Sequence, residues 1–272
     1  IKGIAMLDYL DLYKKFIPTR QESYKLDYIA KVELGSDGKD NNPYDTFREW
    51  YTNDFQSFVD YNIKDVELVD QLEDKMKLIE LILTMAYEAK INYKDVFSEV
   101  RLWDTLIFNH LLKENIHIPP RTDNVKEEKY TGAYVKSPQV GQHKWIVSFD
   151  INSLYPHLIM QYNISPEKII GMKSDGISVD RLLKKKTPWD YLKTDGATIT
   201  PNGSMFKNDS QGFLPKLMEK MYNDRVHFKQ LEFQAKQEYQ KTKEKELTKK
   251  IATYHNIQWA KKISLNSAYG AI

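Results

Sequence analysis

Cysteine is absent from this 272-residue sequence, and so is any apolar run long enough to cross a membrane. The lack of cysteine excludes a disulfide framework and a thiolate metal site, and it is typical of proteins from a reducing compartment. With no long apolar run and no signal peptide, we expect a soluble chain that has no membrane partner. Hydrophobic residues still make up 41% of the sequence, so the chain can build a packed core.

Neither end of the sequence has the features of a natural terminus. Residue 1 is an isoleucine inside an apolar pattern, IKGIAMLDYL, and no initiator methionine precedes it. At the other end, the sequence AYGAI stops abruptly. We therefore interpret the sequence as a piece of a longer protein.

Glycine and proline are missing from two long segments, which favours helices there. In residues 44–118, apolar residues recur at helical spacing and predict a long helix over 66–90 and a second over 96–115. The other segment, residues 216–269, is too long for one helix of a globular protein. It predicts an antiparallel helical pair whose turn lies in the polar stretch KTKEKELTKK, residues 241–250.

The segment between these helical regions is predicted to contain strands and turns. A polar stretch after a proline pair indicates a domain boundary near 120–128. YTGAYV (130–135) and HKWIVSF (143–149) have the composition of strands. LYPHLIMQYN then predicts a helix with Pro156 in its first turn, where proline is tolerated.

One carboxylate, Asp150, separates the second predicted strand from this helix. The first N–H groups of a helix have no partner within it, and the helix dipole is positive there, so such a turn can bind phosphate. A carboxylate beside the turn can hold Mg²⁺. Asp150 could therefore bind a metal while the backbone from Asn152 to Tyr155 contacts a phosphorylated ligand. The alternative is that Asn152 or Ser153 only caps the helix.

Positive charge is concentrated in the second helical segment. The formal net charge of the sequence is +2, yet Lys216 to Lys262 contain 12 Lys and Arg residues against 6 Asp and Glu. Arg225 and Lys229 share a helix face by their spacing, as do Lys262, Asn266 and Tyr269. A turn near the middle of the polar stretch would bring Arg225, Lys229 and Lys262 to nearly the same position along the axis of the helical pair. Such cations suit a triphosphate; an ordinary solvated surface is the alternative.

Three stretches, in this order, resemble motifs of the family B DNA polymerases. SFDINSLYP (148–156) resembles motif A, MYNDRVHFK (221–229) the start of the fingers helix, and KISLNSAYG (262–270) motif B. DYLDLYKKF, WDTLIFNHLL and YTGAYVKSP are more distantly similar to stretches of the replicative polymerases of T-even-type bacteriophages. The resemblance spans nearly the whole chain.

The resemblance implies an α+β fold made of parts of three domains. Residues 1–78 would be the C-terminal part of an RNase H-like 3′–5′ exonuclease domain, and residues 79–128 a helical connector. Residues 129–211 would form the N-terminal part of the polymerase palm, with an antiparallel sheet. Residues 212–272 would form the fingers, an antiparallel helical hairpin.

For the polymerase site, the resemblance implies two-metal addition of deoxynucleotides to a primer. Asp150 would be one of two carboxylates that bind two Mg²⁺ ions, with the Ile151 carbonyl as a further ligand, and Tyr155 would exclude a 2′-hydroxyl. Tyr269 and Gly270 would lie against the nascent base pair. The residues that would contact the triphosphate are Ser153 and Leu154 through their backbone, and Arg225, Lys229, Lys262 and Asn266 through their side chains.

The front of the chain resembles a nuclease site. Tyr61 and Asp65, in FVDYNIKDVEL, resemble the third motif of DnaQ-like 3′–5′ exonucleases. There Asp65 would bind metal, and Tyr61 would orient water or the scissile phosphate. Tyr130 and Gly132 resemble an element between exonuclease and polymerase domains that contacts the DNA backbone.

Two parts of the family pattern are missing from the sequence. No Asp-Thr-Asp-Ser stretch follows motif B, and the earlier carboxylates of an exonuclease site are absent. We therefore expect the isolated chain neither to polymerise nor to degrade DNA appreciably. The alternatives are a non-catalytic, polymerase-like nucleic-acid-binding protein and a stand-alone DnaQ-like exonuclease. The implied partners are primer–template DNA, deoxynucleoside triphosphates and a sliding clamp, in the cytoplasm, which for a viral enzyme is that of the host.

Overall fold

A computed structural model describes residues 6–17, 19–35, 38, 42–118, 120, 135–173, 175–188, 190, 192 and 194–271. This part of the chain is α+β, as expected. Its α-helices are α1 (Tyr9–Phe16), α2 (Leu26–Leu34), α3 (Phe47–Asn53), α4 (Phe55–Met76), α5 (Leu78–Ala89), α6 (Glu99–Lys113), α7 (Leu154–Gln161), α8 (Val179–Leu183), α9 (Phe213–Thr242) and α10 (Lys245–Ala271). Its strands are β1 (Ile169–Met172), β2 (Ala197–Ile199) and β3 (Ser204–Lys207).

The chain divides into two compact units. One consists of Ile1–Leu106 and Leu217–Ile272, and the other of Ile107–Lys216. The three boundaries between the four segments implied by the resemblance are not tested by this division and stay predictions.

Two tyrosines of α1 bind carboxylates on other helices of the first unit. The hydroxyl of Tyr9 donates to Glu73 on α4 (3.1 Å), and that of Tyr13 donates to Glu33 on α2 (2.8 Å). Burial, followed by the hydrogen bond to Glu33, raises the pKa of Tyr13 to about 12. Both hydroxyls therefore remain donors at neutral pH, and they connect three helices around the apolar core of this unit.

The prediction of one continuous helix over 66–90 is wrong, because the helix is interrupted at Lys77. This lysine adopts a left-handed conformation (φ 54°, ψ 38°) that ends α4 and begins α5. Its N–H donates to the carbonyl of Glu73 (2.8 Å), and its own carbonyl accepts from Leu81 (3.0 Å). Leu72 before the break and Ile82 after it belong to the same buried cluster. The change of direction thus lets two apolar faces pack on one core, which the helical period of the sequence could not reveal.

Helices α9 and α10 form the predicted hairpin. Only Lys243 and Glu244 separate them, inside the polar stretch where the turn was expected, and Lys243 is left-handed (φ 59°). Near the turn, a cleft of about 610 Å³ lies between the hairpin and the α4–α5 junction; its lining includes Lys77 and Glu80 on one side and Thr248 and Ala252 on the other. Despite their length, neither these helices nor any other helix in the described residues is apolar enough to span a bilayer.

The three strands of the second unit pair antiparallel in the order β1-β3-β2. Beside them, the buried side chain of Asn163 donates to the carbonyls of Lys207 (2.7 Å) and Ser210 (3.0 Å) and accepts from the N–H of Gly212 (2.8 Å). Glu167 then accepts from the N–H of Phe213, the first residue of α9 (2.8 Å). These bonds fix the start of α9 to the sheet.

The strand predicted over 143–149 is wrong. These residues form no ladder with any described strand, and Trp145 and Phe149 are 98% and 90% exposed. A strand needs a hydrogen-bonded neighbour, and its apolar residues stay unburied where none lies beside it. The other strand prediction, 130–135, falls almost wholly outside the described residues. The helix predicted after Asp150 is confirmed as α7, with Pro156 in its first turn.

Gly203 provides a test of the turn between β2 and β3. It adopts φ +92°, and a Cβ built on it would lie 2.4 Å from the carbonyl oxygen of Lys173. Gly203→Ala should therefore lower the free energy of unfolding of the second unit by about 2–3 kcal/mol, as measured by urea titration. Gly196→Ala is the matched control, because Gly196 has φ +73° but nothing within 4 Å of its Cβ position. Equal losses in the two variants would show that the contact with Lys173 does not matter.

Candidate functional site

The motif A turn leads from Asp150 into α7. Asp150 is exposed, and so is Ile151 (66%). Ser153 occupies the position before the helix in a left-handed conformation (φ 52°, ψ 47°), and its side chain does not cap α7. Capping by Ser153, one of the alternatives for this turn, is thus not what the structure has. A non-glycine residue in this conformation is uncommon and costs some backbone strain, as Lys77 does where α4 ends.

The first three residues of α7 have different environments. Pro156 is fully buried and anchors the helix, whereas Tyr155 is 45% exposed and Leu154 41% exposed. The carbonyl of Ser153 accepts from the N–H of His157 (3.1 Å), which closes the first helical turn. The buried Pro156 and the hydrogen bond from His157 therefore fix the turn, while Tyr155 remains partly exposed to solvent.

The donors available for a metal at this turn are oxygens. The carboxylate of Asp150 and the neighbouring carbonyl of Ile151 are of the hard kind that Mg²⁺ prefers. Among the residues that the structure describes, no three His, Cys, Asp or Glu side chains cluster closely enough to hold a metal ion. The turn by itself therefore supplies oxygen donors but not a complete metal site.

Matching faces of α9 and α10 meet in the first unit. Helical spacing aligns one row along α9, here called the α9 face, and another along α10, the α10 face. The two faces consist of Arg225, Lys229, Glu232 and Lys236 on α9, and of His255, Trp259, Lys262 and Asn266 on α10. They touch where Nδ1 of His255 lies 3.1 Å from Oε1 of Glu232.

This contact brings the predicted cations to similar levels along the hairpin. Arg225 precedes Glu232 by seven residues, and Lys262 follows His255 by seven. Both therefore lie about 10 Å from the contact, on the side away from the turn, which is the open end of the hairpin. An ion pair from Lys261 to Asp224 (3.3 Å) joins the two helices at the same level. Arg225 and Lys262, predicted to converge, thus lie within about one helical turn of each other along the axis.

Lys261, the residue before the motif B lysine, fixes α10 on its neighbours. Its side chain is only 12% exposed, and its ammonium pairs with Glu88 on α5 (3.1 Å) and with Asp224 on α9. One turn further on, the buried Trp103 of α6 donates its indole N–H to the carbonyl of Ser264 (3.0 Å). The open end of α10 is thereby bound to three helices.

Other predicted residues of α10 remain accessible. Asn266 is exposed, Tyr269 is 65% exposed, and a Cβ placed on Gly270 would meet nothing within 4 Å. Among the described residues, no contact therefore requires glycine at position 270.

Glu232 is a buried carboxylate in this hairpin (7% exposed). Its burial alone would raise the pKa, but hydrogen bonds from Lys236 and His255 outweigh burial and lower the pKa of Glu232 below its usual value. The charged form is therefore the stable one in the folded chain.

Acid should weaken the hairpin through this group. Because the pKa of Glu232 is lower in the folded chain than in the unfolded chain, its stabilising contribution is present at neutral pH and is lost as the pH falls below about 4. Thermal unfolding midpoints between pH 3 and 7 should fall less steeply for Glu232→Gln than for the unchanged chain. Glu238→Gln, at an exposed position of the same helix, should not alter the slope. Parallel curves for all three proteins would contradict the assignment.

The predicted exonuclease residues lie one turn apart on α4. Both are half-buried, and the ring of Tyr61 packs against Trp50 (centroids 4.8 Å apart) and Phe47 (6.1 Å). Asp65 shares this face by its spacing. Tyr130 and Gly132 lie outside the described residues.

The sites group by unit. Asp150, Ile151, Ser153, Leu154 and Tyr155 belong to the second unit, whereas all the predicted cations belong to the first. The structure brings residues together within each group, and a cleft shared by both groups stays a prediction.

Comparison with known proteins identifies the family. The model of DNA polymerase family B matches residues 98–272. This chain belongs to DNA polymerase family B. Over 234 residues it is 39% identical to the DNA-directed DNA polymerase of Escherichia phage RB69 (84% of this chain, 24% of that protein) and 36% identical to that of Enterobacteria phage T4 (86% and 25%). It is also 28% identical over 218 residues to the DNA polymerase delta catalytic subunit of Candida albicans (77% and 19%).

This family B chain spans about a quarter of the length of its two phage relatives. Their similarity covers most of the chain, so the resemblance seen in the sequence motifs to polymerases of the T-even type is confirmed. A non-catalytic protein and a stand-alone exonuclease are not favoured by these matches.

Sequence reasoning missed several residues that organise the polymerase chain. The pairing of Lys261 with Glu88 joins positions far apart in the sequence, and no local signal indicates it. The row formed by His255, Trp259 and Lys262 could have been found, because its spacing places two aromatic rings on the face of the motif B lysine.

Proposed function

We propose that this chain is part of a polymerase that adds deoxynucleotides to a primer 3′ end under the direction of a template. Its membership of DNA polymerase family B supports the reaction class. The observation that carries the proposal within this chain is the alignment of Arg225 and Lys262, brought level by the contact between Glu232 and His255. Two long cations at one level suit the triphosphate that such a reaction consumes.

Arg225, Lys229 and Lys262 bind the triphosphate in this proposal, and Asn266 hydrogen-bonds beside them. Arginine supplies a planar, bidentate contact to phosphate, whereas lysine supplies a compact point charge. The ion pairs of Lys261 hold the backbone from which Lys262 extends. The cations then neutralise charge without reorganising when the nucleotide arrives.

The motif A turn contributes the other half of the proposed site. Asp150 and the Ile151 carbonyl would hold Mg²⁺, which when bound would supply charge neutralisation at the phosphates and activation of the attacking hydroxyl. Backbone N–H groups near Ser153 and Leu154 donate hydrogen bonds to a phosphate at the positive end of α7. Tyr155, which is 45% exposed, presents its ring to the sugar and excludes a 2′-hydroxyl.

The proposed nucleic-acid contacts come from two parts of the family B match. Tyr269 and Gly270, exposed on α10, lie against the nascent base pair, and Tyr130 and Gly132 contact the DNA backbone. The partners are primer–template DNA, deoxynucleoside triphosphates and a sliding clamp.

We assign residues 1–78 to the exonuclease domain, 79–128 to a connector, 129–211 to the palm and 212–272 to the fingers.

A proofreading 3′–5′ exonuclease is the second activity we propose for the whole protein. Tyr61 and Asp65 on α4 carry it from this chain, Asp65 as a metal ligand and Tyr61 as a group that orients water or the scissile phosphate. The packing of Tyr61 against Trp50 fixes the ring that would perform this role.

Primer extension tests the proposed function. Because the chain spans about a quarter of its phage relatives, the assay uses a chimera in which it replaces the matching segment of the RB69 polymerase. We expect the chimera to extend a primer only with Mg²⁺ and the triphosphate complementary to the template. A chimera that folds and binds primer–template DNA but does not extend the primer would contradict the proposal.

A further inference from the structure

We propose that Trp259 is a positioning residue that holds the ammonium of Lys262 in place for an incoming triphosphate. The inference rests on the proposed function, because it concerns the same cations. It goes beyond the family motifs, since Trp259 lies outside the stretch KISLNSAYG.

The first observation is a direct contact. The ammonium of Lys262 lies 4.4 Å from the centroid of the Trp259 ring, three residues earlier on α10. Both side chains are half-buried, so the cation is partly shielded from water over the ring face. Tryptophan is the aromatic residue that attracts a cation most strongly in this geometry. The lysine is thereby held in one of its many rotamers, which lowers the entropy that a ligand must remove.

The second observation is that the Trp259 ring is itself fixed. One side of the residue packs against the buried core of the first unit. Its ring stacks on the imidazole of His255 (centroids 6.1 Å apart, planes at 12°), and His255 in turn contacts the buried Glu232. A continuous row therefore runs from a buried carboxylate on α9 to the ammonium on α10.

The third observation concerns the direction in which Lys262 extends. Helical side chains lean towards the N-terminus of their helix, which for α10 is the turn of the hairpin. Leaning over Trp259 moves the ammonium of Lys262 towards the turn, to within about one helical turn of Lys229 along the axis. Trp259 thus sets the level at which the positive charge of α10 meets that of the α9 face.

The ion pairs of Lys261 strengthen this reasoning. They hold the α10 backbone at the neighbouring position through Glu88 and Asp224. The start of the Lys262 side chain is then fixed, and Trp259 is left to decide where its charged end lies.

The test is a double-mutant cycle on the 272-residue chain, with inorganic tripolyphosphate as the probe and calorimetry as the measurement. Trp259→Leu should weaken binding about three- to tenfold, because an apolar side chain without a ring cannot hold the cation. Trp259→Phe, which keeps an aromatic face, should restore most of the loss. In a Lys262→Met background, Trp259→Leu should have no further effect, since the ring acts through the lysine.

The outcomes separate the two proposals. If Lys262→Met binds tripolyphosphate as tightly as the unchanged chain, the proposed phosphate grip is wrong, and the role of Trp259 falls with it. If Lys262→Met weakens binding but Trp259→Leu does not, or if the tryptophan effect persists without the lysine, only the positioning role is overturned.

A second measurement avoids dependence on the folding of the leucine variant. Tryptophan fluorinated on its ring keeps its shape but attracts a cation less. Incorporation of fluorinated tryptophan should weaken tripolyphosphate binding by the unchanged chain and should not change binding by the Trp259→Phe chain. Equal effects in the two chains would overturn the proposal.

Discussion

Asp150→Asn should slow primer extension by the RB69 chimera about a thousandfold, which corresponds to about 4 kcal/mol of lost transition-state stabilisation. Asparagine has nearly the size of aspartate, but it lacks the negative charge that binds a divalent cation. Asp150 is exposed at the motif A turn, so the substitution should leave the fold unchanged. The measurement is the single-turnover rate at saturating Mg²⁺ and triphosphate.

Asp180→Asn is the control for this prediction. Asp180 is also an exposed carboxylate of the second unit, in the first turn of α8, and it has no proposed role. Its replacement should change the extension rate less than about twofold. An Asp150→Asn enzyme that works as fast as the Asp180→Asn enzyme would rule out Asp150 as a metal ligand.

Trp103→Ala should produce the largest loss of stability among the substitutions considered, about 4 kcal/mol. Trp103 is 1% exposed, and its N–H donates to the carbonyl of Ser264 (3.0 Å) and the hydroxyl of Ser267 (3.2 Å). Alanine would leave a large cavity between α6 and α10 and would remove both hydrogen bonds. A loss of this size is a large share of the stability of a typical domain. Thermal and urea unfolding of the 272-residue chain measure it.

Two further variants serve as comparisons for Trp103→Ala. Trp103→Phe keeps an aromatic ring and should cost less than the alanine variant, because the cavity is smaller. Trp145→Ala removes a tryptophan that is 98% exposed and should change stability by less than about 0.5 kcal/mol. If the variants at Trp103 and Trp145 unfold alike, the packing described for α6 against α10 is wrong.

The features that sequence reasoning predicted well depend on local signals. The α9–α10 hairpin and its turn follow from a segment without glycine or proline that is interrupted by one polar stretch. Helical periodicity and this turn also sufficed to bring Arg225 and Lys262 to similar levels, because the rise per residue of a helix is constant. Helix α7 was also predictable from a local signal, because proline is favoured in the first turn of a helix.

The features that it missed depend on tertiary partners. The left-handed break at Lys77 occurs inside an unbroken apolar pattern, because the core that it serves is shared by distant helices. The segment 143–149 has the composition of a strand but no described strand beside it. The ion pairs of Lys261 and the stacking of Trp259 on His255 likewise became visible only when the helices were seen together.

The attachment of α10 has a mechanical consequence for the hairpin. At its open end, Lys261 and Ser264 bind this helix to α5 and α6, whereas towards the turn a cleft runs beneath Thr248 and Ala252. Twisting the anchored part of α10 would have to break these bonds or move two other helices with it. Stiffness is therefore concentrated around Lys261 and Ser264, and Trp259 lies at the edge of this rigid part of α10.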